Sequence, residues 1–135
     1  MKYWLMKSEP FKYSFNDLLR DKQTHWNGVR NFQARNNLKS MKRGDQALFY
    51  HSNEGKEVVG IAEIVREAYP DSSAADGDWV MVDVKAKTRF AVPVTLADIK
   101  ATPELKGMGL LKQARLSVVA LSKTEFDVII NKGMK

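Results

Sequence analysis

Four short stretches of the chain hold polar side chains where a fold alone would favour apolar or small ones. WLMKSEP (4–10) closes an apolar run with Lys7, Ser8 and Glu9, and FYHS (49–52) closes another with Tyr50, His51 and Ser52. QARLSV (113–118) alternates Arg115 and Ser117 with Leu116 and Val118, and WNGVRNFQARN (26–36) sets Trp26 and Phe32 among guanidinium and amide groups. A flat, π-faced ligand such as a nucleobase asks for these residue types together. Aromatic rings stack it, amides and hydroxyls read its edge, and guanidinium groups hold the adjoining phosphates. A base read this closely comes from a single strand or is flipped out of a duplex.

Charge points the same way. The net charge is +6. Between residues 20 and 43 stand seven lysines or arginines and one acid, Asp21, whereas the rest of the chain holds fifteen of each sign. The basic excess therefore lies in one window, which makes Arg20, Lys22, Arg35, Lys39, Lys42 and Arg43 candidates for phosphate contacts, because cations facing a polyanion release its condensed counterions. A solvated basic helix face is the plain alternative. Aromatic and amide residues interleaved with the cations favour the ligand.

Each candidate also has a structural reading. Trp4 and Trp79 lie in apolar strands and read as core aromatics, while Trp26 precedes the turn pair Asn27–Gly28 and is the better cage residue. His51 alone reads as a satisfied core histidine, Tyr50 as a packing residue, and Asn31, Asn36 and Asn37 as helix caps. Signals for catalysis are thinner. Two histidines and no cysteine exclude thiolate chemistry and a cysteine-based zinc site, and no HExxH or phosphate-cradling glycine loop occurs. Lys7, Glu9 and His51 would make a general acid–base set if they converged. No catalytic residue, metal or cofactor is expected.

These residues need a scaffold. The chain of 135 residues, 44% hydrophobic, reads as one domain with a real core. Neither a signal peptide nor a membrane-length apolar run is seen, so a soluble intracellular protein is expected. Strands are expected over 2–8, 46–52, 57–69, 79–90 and 114–121. Residues 21–31 and 70–78 read as loops. Helices are expected from the capping signal at Ser14 and Asp17 to about Arg20, over 32–41, within 93–105, and from the Ser122–Glu125 capping box to Gly133. About five strands with short helices between them suggest a small mixed β-barrel of α+β class.

The same four stretches, in this order and spacing, resemble the EVE domain family over nearly the whole chain, 1–135. The resemblance implies a PUA-like fold, a small mixed barrel of five or six strands decorated with helices and related to the YTH readers of methylated adenine and to ASCH domains. It further implies a non-catalytic pocket for a modified base, with modified cytosine in DNA as the favoured substrate class. Carried onto this sequence, Lys7 and Ser8 would line the pocket mouth, and Trp26, Val29, Arg30 and Asn31 its wall and polar edge. Tyr50, His51 and Ser52 would close it, opposite Arg115 and Ser117, with Arg35 and Asn36 in support. The family often has tyrosine where this chain has Phe32, so a hydroxyl is missing. A long basic N-terminal extension, found in nuclear members, is absent, which suggests a bacterial, cytoplasmic, stand-alone and monomeric form with nucleic acid carrying a modified base as its partner. Two alternatives remain: a reader of a modified or splayed-out ribonucleotide, and an ASCH-like hydrolase or ribonuclease using Lys7, Glu9 and His51.

Overall fold

The computed structural model describes residues 1–135. Its strands are β1 (Tyr3–Ser8), β2 (Gln23–Trp26), β3 (Gln46–His51), β4 (Glu57–Pro70), β5 (Val80–Thr95) and β6 (Val118–Leu121). The helices are α1 (Phe15–Asp21), α2 (Phe32–Ser40), α3 (Leu96–Lys100), α4 (Gly109–Lys112) and α5 (Lys123–Gly133), with one 3₁₀ turn at Pro103–Leu105. All six strands form one mixed sheet in the order β2-β5-β4-β3-β1-β6. This is the expected α+β architecture, with one correction: the ladder does not close, since β2 and β6 end it on opposite sides. The sheet is nevertheless rolled. Trp26 of β2 meets Phe49 of β3 edge-on at 5.5 Å although two strands separate them in the ladder.

Register positions the polar stretches. β1 and β3 run parallel, with Lys7 beside Tyr50 and Ser8 beside His51, so two strand ends over forty residues apart in sequence finish side by side. β6 is antiparallel to β1 from Met6–Val118 onward. The turn entering β6 therefore lies at that same end of the sheet, and the Lys7 N–H donates to the Ser117 carbonyl at 2.9 Å. Trp4, Leu5 and Met6 are all buried, as a strand covered on both faces requires.

One cluster of 33 buried residues forms the core. Phe49 is a hub within it, with Phe15 edge-on at 5.3 Å and the His51 ring at 5.7 Å. Gly60 makes room for this arrangement: a Cβ there would stand 2.4 Å from the Phe15 ring, which no side chain tolerates. Capping boxes at Ser14–Asp17 and Ser122–Glu125 start α1 and α5 as expected, and Thr95–Asp98 supplies another for α3.

Three boundaries differ from the sequence reading. Residues 23–26 are a strand, not loop, because they pair with β5 as its outer neighbour. β5 continues past Phe90 to Thr95 in spite of Pro93. Between the pairs Gly60–Arg89 and Val58–Val94 the register slips, and Pro93 lies in the unpaired bulge, where its missing N–H costs no ladder bond. The strand expected over 114–121 begins only at Val118, so Arg115 and Ser117 sit on a turn.

Candidate functional site

The strand ends open into a cavity of about 660 Å³, within the usual range for small-molecule sites. Lys7, Ser8 and Glu9 leave β1 along one side, and Lys12 and Tyr13 follow from the β1–α1 loop. Thr24, His25, Trp26 and Asn27 of β2 and its exit form the second wall, with Ser52, Ala114, Arg115 and Ser117 completing the lining. Six predicted residues thus converge: Lys7, Ser8, Trp26, Ser52, Arg115 and Ser117.

Their local bonds decide what each can offer. The Lys7 ammonium donates to the Ala114 carbonyl at 2.8 Å, which leaves two donors, and burial lowers its pKa. The Ser8 hydroxyl donates to the Tyr13 carbonyl at 2.6 Å and so keeps only acceptor capacity. Glu9 accepts from Asn53 Nδ2 at 3.1 Å through Oε1. Its Oε2 is buried without a hydrogen bond, with Lys12 Nζ standing 3.2 Å away as an ion-pair partner. Tyr13 donates to Asp21 at 2.9 Å, and burial raises its pKa. No three His, Cys, Asp or Glu side chains converge as a metal set would.

The other predicted residues are placed elsewhere. Val29 is buried in the core. Asn31 is the N-cap of α2, its side-chain oxygen accepting from the Ala34 N–H at 2.9 Å. Tyr50 is buried and lines a neighbouring cavity of about 290 Å³, which shares Lys7, Ser52 and Ala114 with the first; burial raises its pKa. His51 Nε2 accepts the Phe15 N–H at 3.1 Å, so that nitrogen is unprotonated, and burial followed by the Arg89 charge lowers its pKa. Lys7 and Glu9 share the cavity lining, whereas His51 is not part of it.

Arg30 is fastened away from the cavity. Asp71, its side chain fully buried, accepts from Arg30 Nη1 at 3.1 Å, from the Gly28 N–H at 2.8 Å, and from the Ser73 N–H and hydroxyl at 2.8 and 2.6 Å. Burial opposes its charge, but these donors outweigh burial and hold the carboxyl well below the ordinary carboxylate range. Gly28, at φ +81°, makes the bend that brings its N–H to Asp71. The loop leaving Trp26 is thereby pinned to the β4–β5 connection.

Within the basic window, Arg20 is held by Asp17 and Asp21 at 3.1 and 2.9 Å, and Lys39 by Asp78. Lys22 caps α1 and Lys42 and Arg43 lie in the turn before β3; the side chains of all three are exposed and form no ion pair. Arg35 lies over the rings of Phe32 and Trp79. Sequence reasoning missed Lys12, Tyr13, Thr24, His25 and Asn27 in the lining. The available signal was Thr24 and Trp26 two residues apart before a turn pair, as on a strand that presents one face inward.

The profile of the EVE domain matches residues 2–132. The chain belongs to the EVE family. Mouse thymocyte nuclear protein 1 is 40% identical over 163 aligned positions, covering 96% of this EVE chain and 72% of that protein. Among solved structures, Rpa0253 of Rhodopseudomonas palustris is 47% identical with a TM-score of 0.93, covering 98% of this chain and 93% of its own. Human THYN1 in complex with DNA containing 5-methylcytosine is 35% identical with a TM-score of 0.93, covering 100% and 99%. An ASCH protein of Zymomonas mobilis, 12% identical with a TM-score of 0.59, shares the fold alone. The expected PUA-like architecture holds. No helix of this EVE domain is long and apolar enough to cross a membrane.

Proposed function

We propose that this EVE domain is a non-catalytic reader of modified bases, taking a modified cytosine of DNA into the cavity at the parallel strand ends. One observation carries the reading. A polar cavity of about 660 Å³ with an aromatic wall lies in a chain that superposes along its full length on a protein bound to 5-methylcytosine DNA. Trp26, held edge-on against Phe49, stacks the base. The Watson–Crick edge of cytosine offers two acceptors and one amino donor. Lys7, with two free donors, meets the acceptors, and Ser8, left with acceptor capacity, meets the amino group. Ser52 and Ser117 complete the polar lining. Arg115, exposed at the rim without a carboxylate partner, takes a phosphate beside the base, while Lys42 and Arg43, exposed in the turn at the far end of β3, add attraction for the rest of the polyanion.

The test is tryptophan fluorescence against single-stranded and duplex oligonucleotides carrying different modified bases, as deoxy and ribo versions, at two salt concentrations. A saturable quench that depends on the modification is expected, with Trp26→Ala losing about 1–3 kcal/mol of binding as one stacked base is lost. Binding indifferent to the modification and abolished by salt would reduce the site to a basic surface. Preference for the ribo series would move the reading to RNA, and product formed without stoichiometric protein would make it an enzyme.

A further inference from the structure

A second aromatic cluster lies outside the cavity. Phe32, the first residue of α2, is 65% exposed although its ring stacks on Trp79, with centroids 5.2 Å apart and planes 20° apart. Arg35 stands 5.0 Å from the Phe32 ring and 5.7 Å from the Trp79 ring, and Arg30 stands 5.6 Å from Trp79. Core packing does not call for a phenylalanine here, since α2 docks through Ala34 and Leu38 and Phe32 is no part of the core. Arg30 is fixed by Asp71, whereas Arg35 has no ion pair and bonds only to the Asn36 amide. An exposed ring with one free guanidinium group beside it, stacked on a second ring, suits a ligand with π faces and negative charge.

Two paths, one along the chain and one through hydrogen bonds, join this cluster to the cavity. The loop from Trp26 to Asn31 begins in the cavity wall and ends at Phe32. On the other side, Gln33 exchanges hydrogen bonds with Gln113 at 3.2 and 3.0 Å, two residues before Arg115 on the cavity rim. We propose that Phe32, Trp79 and Arg35 form a stacking platform for a second nucleobase, one flanking the base in the cavity on the same strand, with Arg35 meeting the intervening phosphate. This rests on the nucleic-acid reading above. Stacking of this kind tolerates any base, so the platform adds affinity along the strand while the cavity supplies selectivity.

The experiment titrates the full chain with 5-methyl-deoxycytidine monophosphate and with single-stranded DNA of three, five and seven nucleotides, each with and without one central 5-methylcytosine. Wild type is compared with Phe32→Ala, Phe32→Leu and Phe32→Trp, and urea midpoints establish that each variant folds. Wild type should gain affinity from mononucleotide to heptamer. Phe32→Ala and Phe32→Leu should bind the mononucleotide as wild type does, yet lose about tenfold on the heptamer. Phe32→Trp, which keeps a stacking ring, should retain the gain. Heptamer affinities of Phe32→Ala and Phe32→Leu equal to wild type would overturn the platform, leaving the cavity untouched. Heptamer binding that depends on Phe32 but ignores the methyl group would keep the platform and remove the cavity reading. No binding of any probe would overturn both.

Discussion

Asp71→Asn separates the scaffold of the site from its chemistry. The carboxylate accepts four hydrogen bonds, from Gly28, Arg30 and twice from Ser73, with no side-chain exposure. Asparagine keeps one oxygen and turns an amino group towards the other donors, so two of the four bonds are lost in its best rotamer. If the oxygen stays with Ser73, the amino group confronts the Gly28 N–H and the Arg30 guanidinium. Hydrogen bonds to a charged group contribute about 1.5–3 kcal/mol each, but Arg30, at 39% exposure, rehydrates in part. The net cost is about 2–4 kcal/mol, a large share of the roughly 5–15 kcal/mol that holds a small domain together. Urea unfolding, with slopes of about 1–3 kcal/mol per molar, would place the midpoint on the order of 1–2 M lower. The pH dependence adds an independent readout. The folded pKa of Asp71 is depressed, so its stabilisation is present above the unfolded value of about 3.9 and is lost as pH falls through the lower folded value. Wild type should therefore lose stability below about pH 4, and Asp71→Asn should lose less over that window. Because Asp71 pins Gly28, oligonucleotide affinity should also fall several-fold while the variant is still folded. A midpoint unchanged within error, or an acid limb as steep as that of wild type, would refute the anchoring role.

Two further outcomes follow from charge. His51 is held neutral by burial and by Arg89 while its Nε2 accepts the Phe15 N–H, so its stabilisation is present above the unfolded pKa of about 6.5 and lost as pH falls through the lower folded value. Urea midpoints of wild type should decline in that window, and those of His51→Gln should be flatter there; parallel profiles would remove His51 from the account. Lys42→Ala should weaken binding to all sequences alike and reduce the slope of log affinity against log salt by about 0.7–0.9, whereas a loss with unchanged slope would mean that Lys42 touches no phosphate.

Local signals in the sequence were enough for the central strands and capped helices. β1 and β3 are short apolar runs with abrupt polar ends, and Ser14, Asn31 and Ser122 mark helix starts by side chains that bond only to their nearest turn. What escaped depends on partners distant in sequence. Gln23–Trp26 offers a single two-residue repeat, Thr24 and Trp26, and becomes a strand because β5 offers an edge. Pro93 reads as a stop, yet a bulge absorbs it. Arg115 and Ser117 alternate with Leu116 and Val118 as a strand would, but they occupy a turn tied through the Lys7 N–H and Ser117 carbonyl. The candidate site divides along the same line. Strand-end residues converge because parallel pairing puts Lys7 and Ser8 beside Tyr50 and His51, while Arg30 is taken up by the distant Asp71 and Asn31 spends its amide locally, on the first turn of α2.

The basic window also means something different once folded. Of its seven cations, Arg20, Arg30 and Lys39 are matched by carboxylates, and Asp71 and Asp78 come from a loop some forty residues away in sequence. Four remain for a polyanion: Lys22, Arg35, Lys42 and Arg43. The cavity has its own cations, Lys7, Lys12 and Arg115, and none of them belongs to that window. Attraction of a strand and inspection of one base thus fall to different parts of the chain, joined by the loop from Trp26 to Phe32. A substitution that slackens this loop, as Asp71→Asn does, should cost selectivity for the modified base more than affinity for nucleic acid, because the exposed cations stay in place when the cavity wall moves.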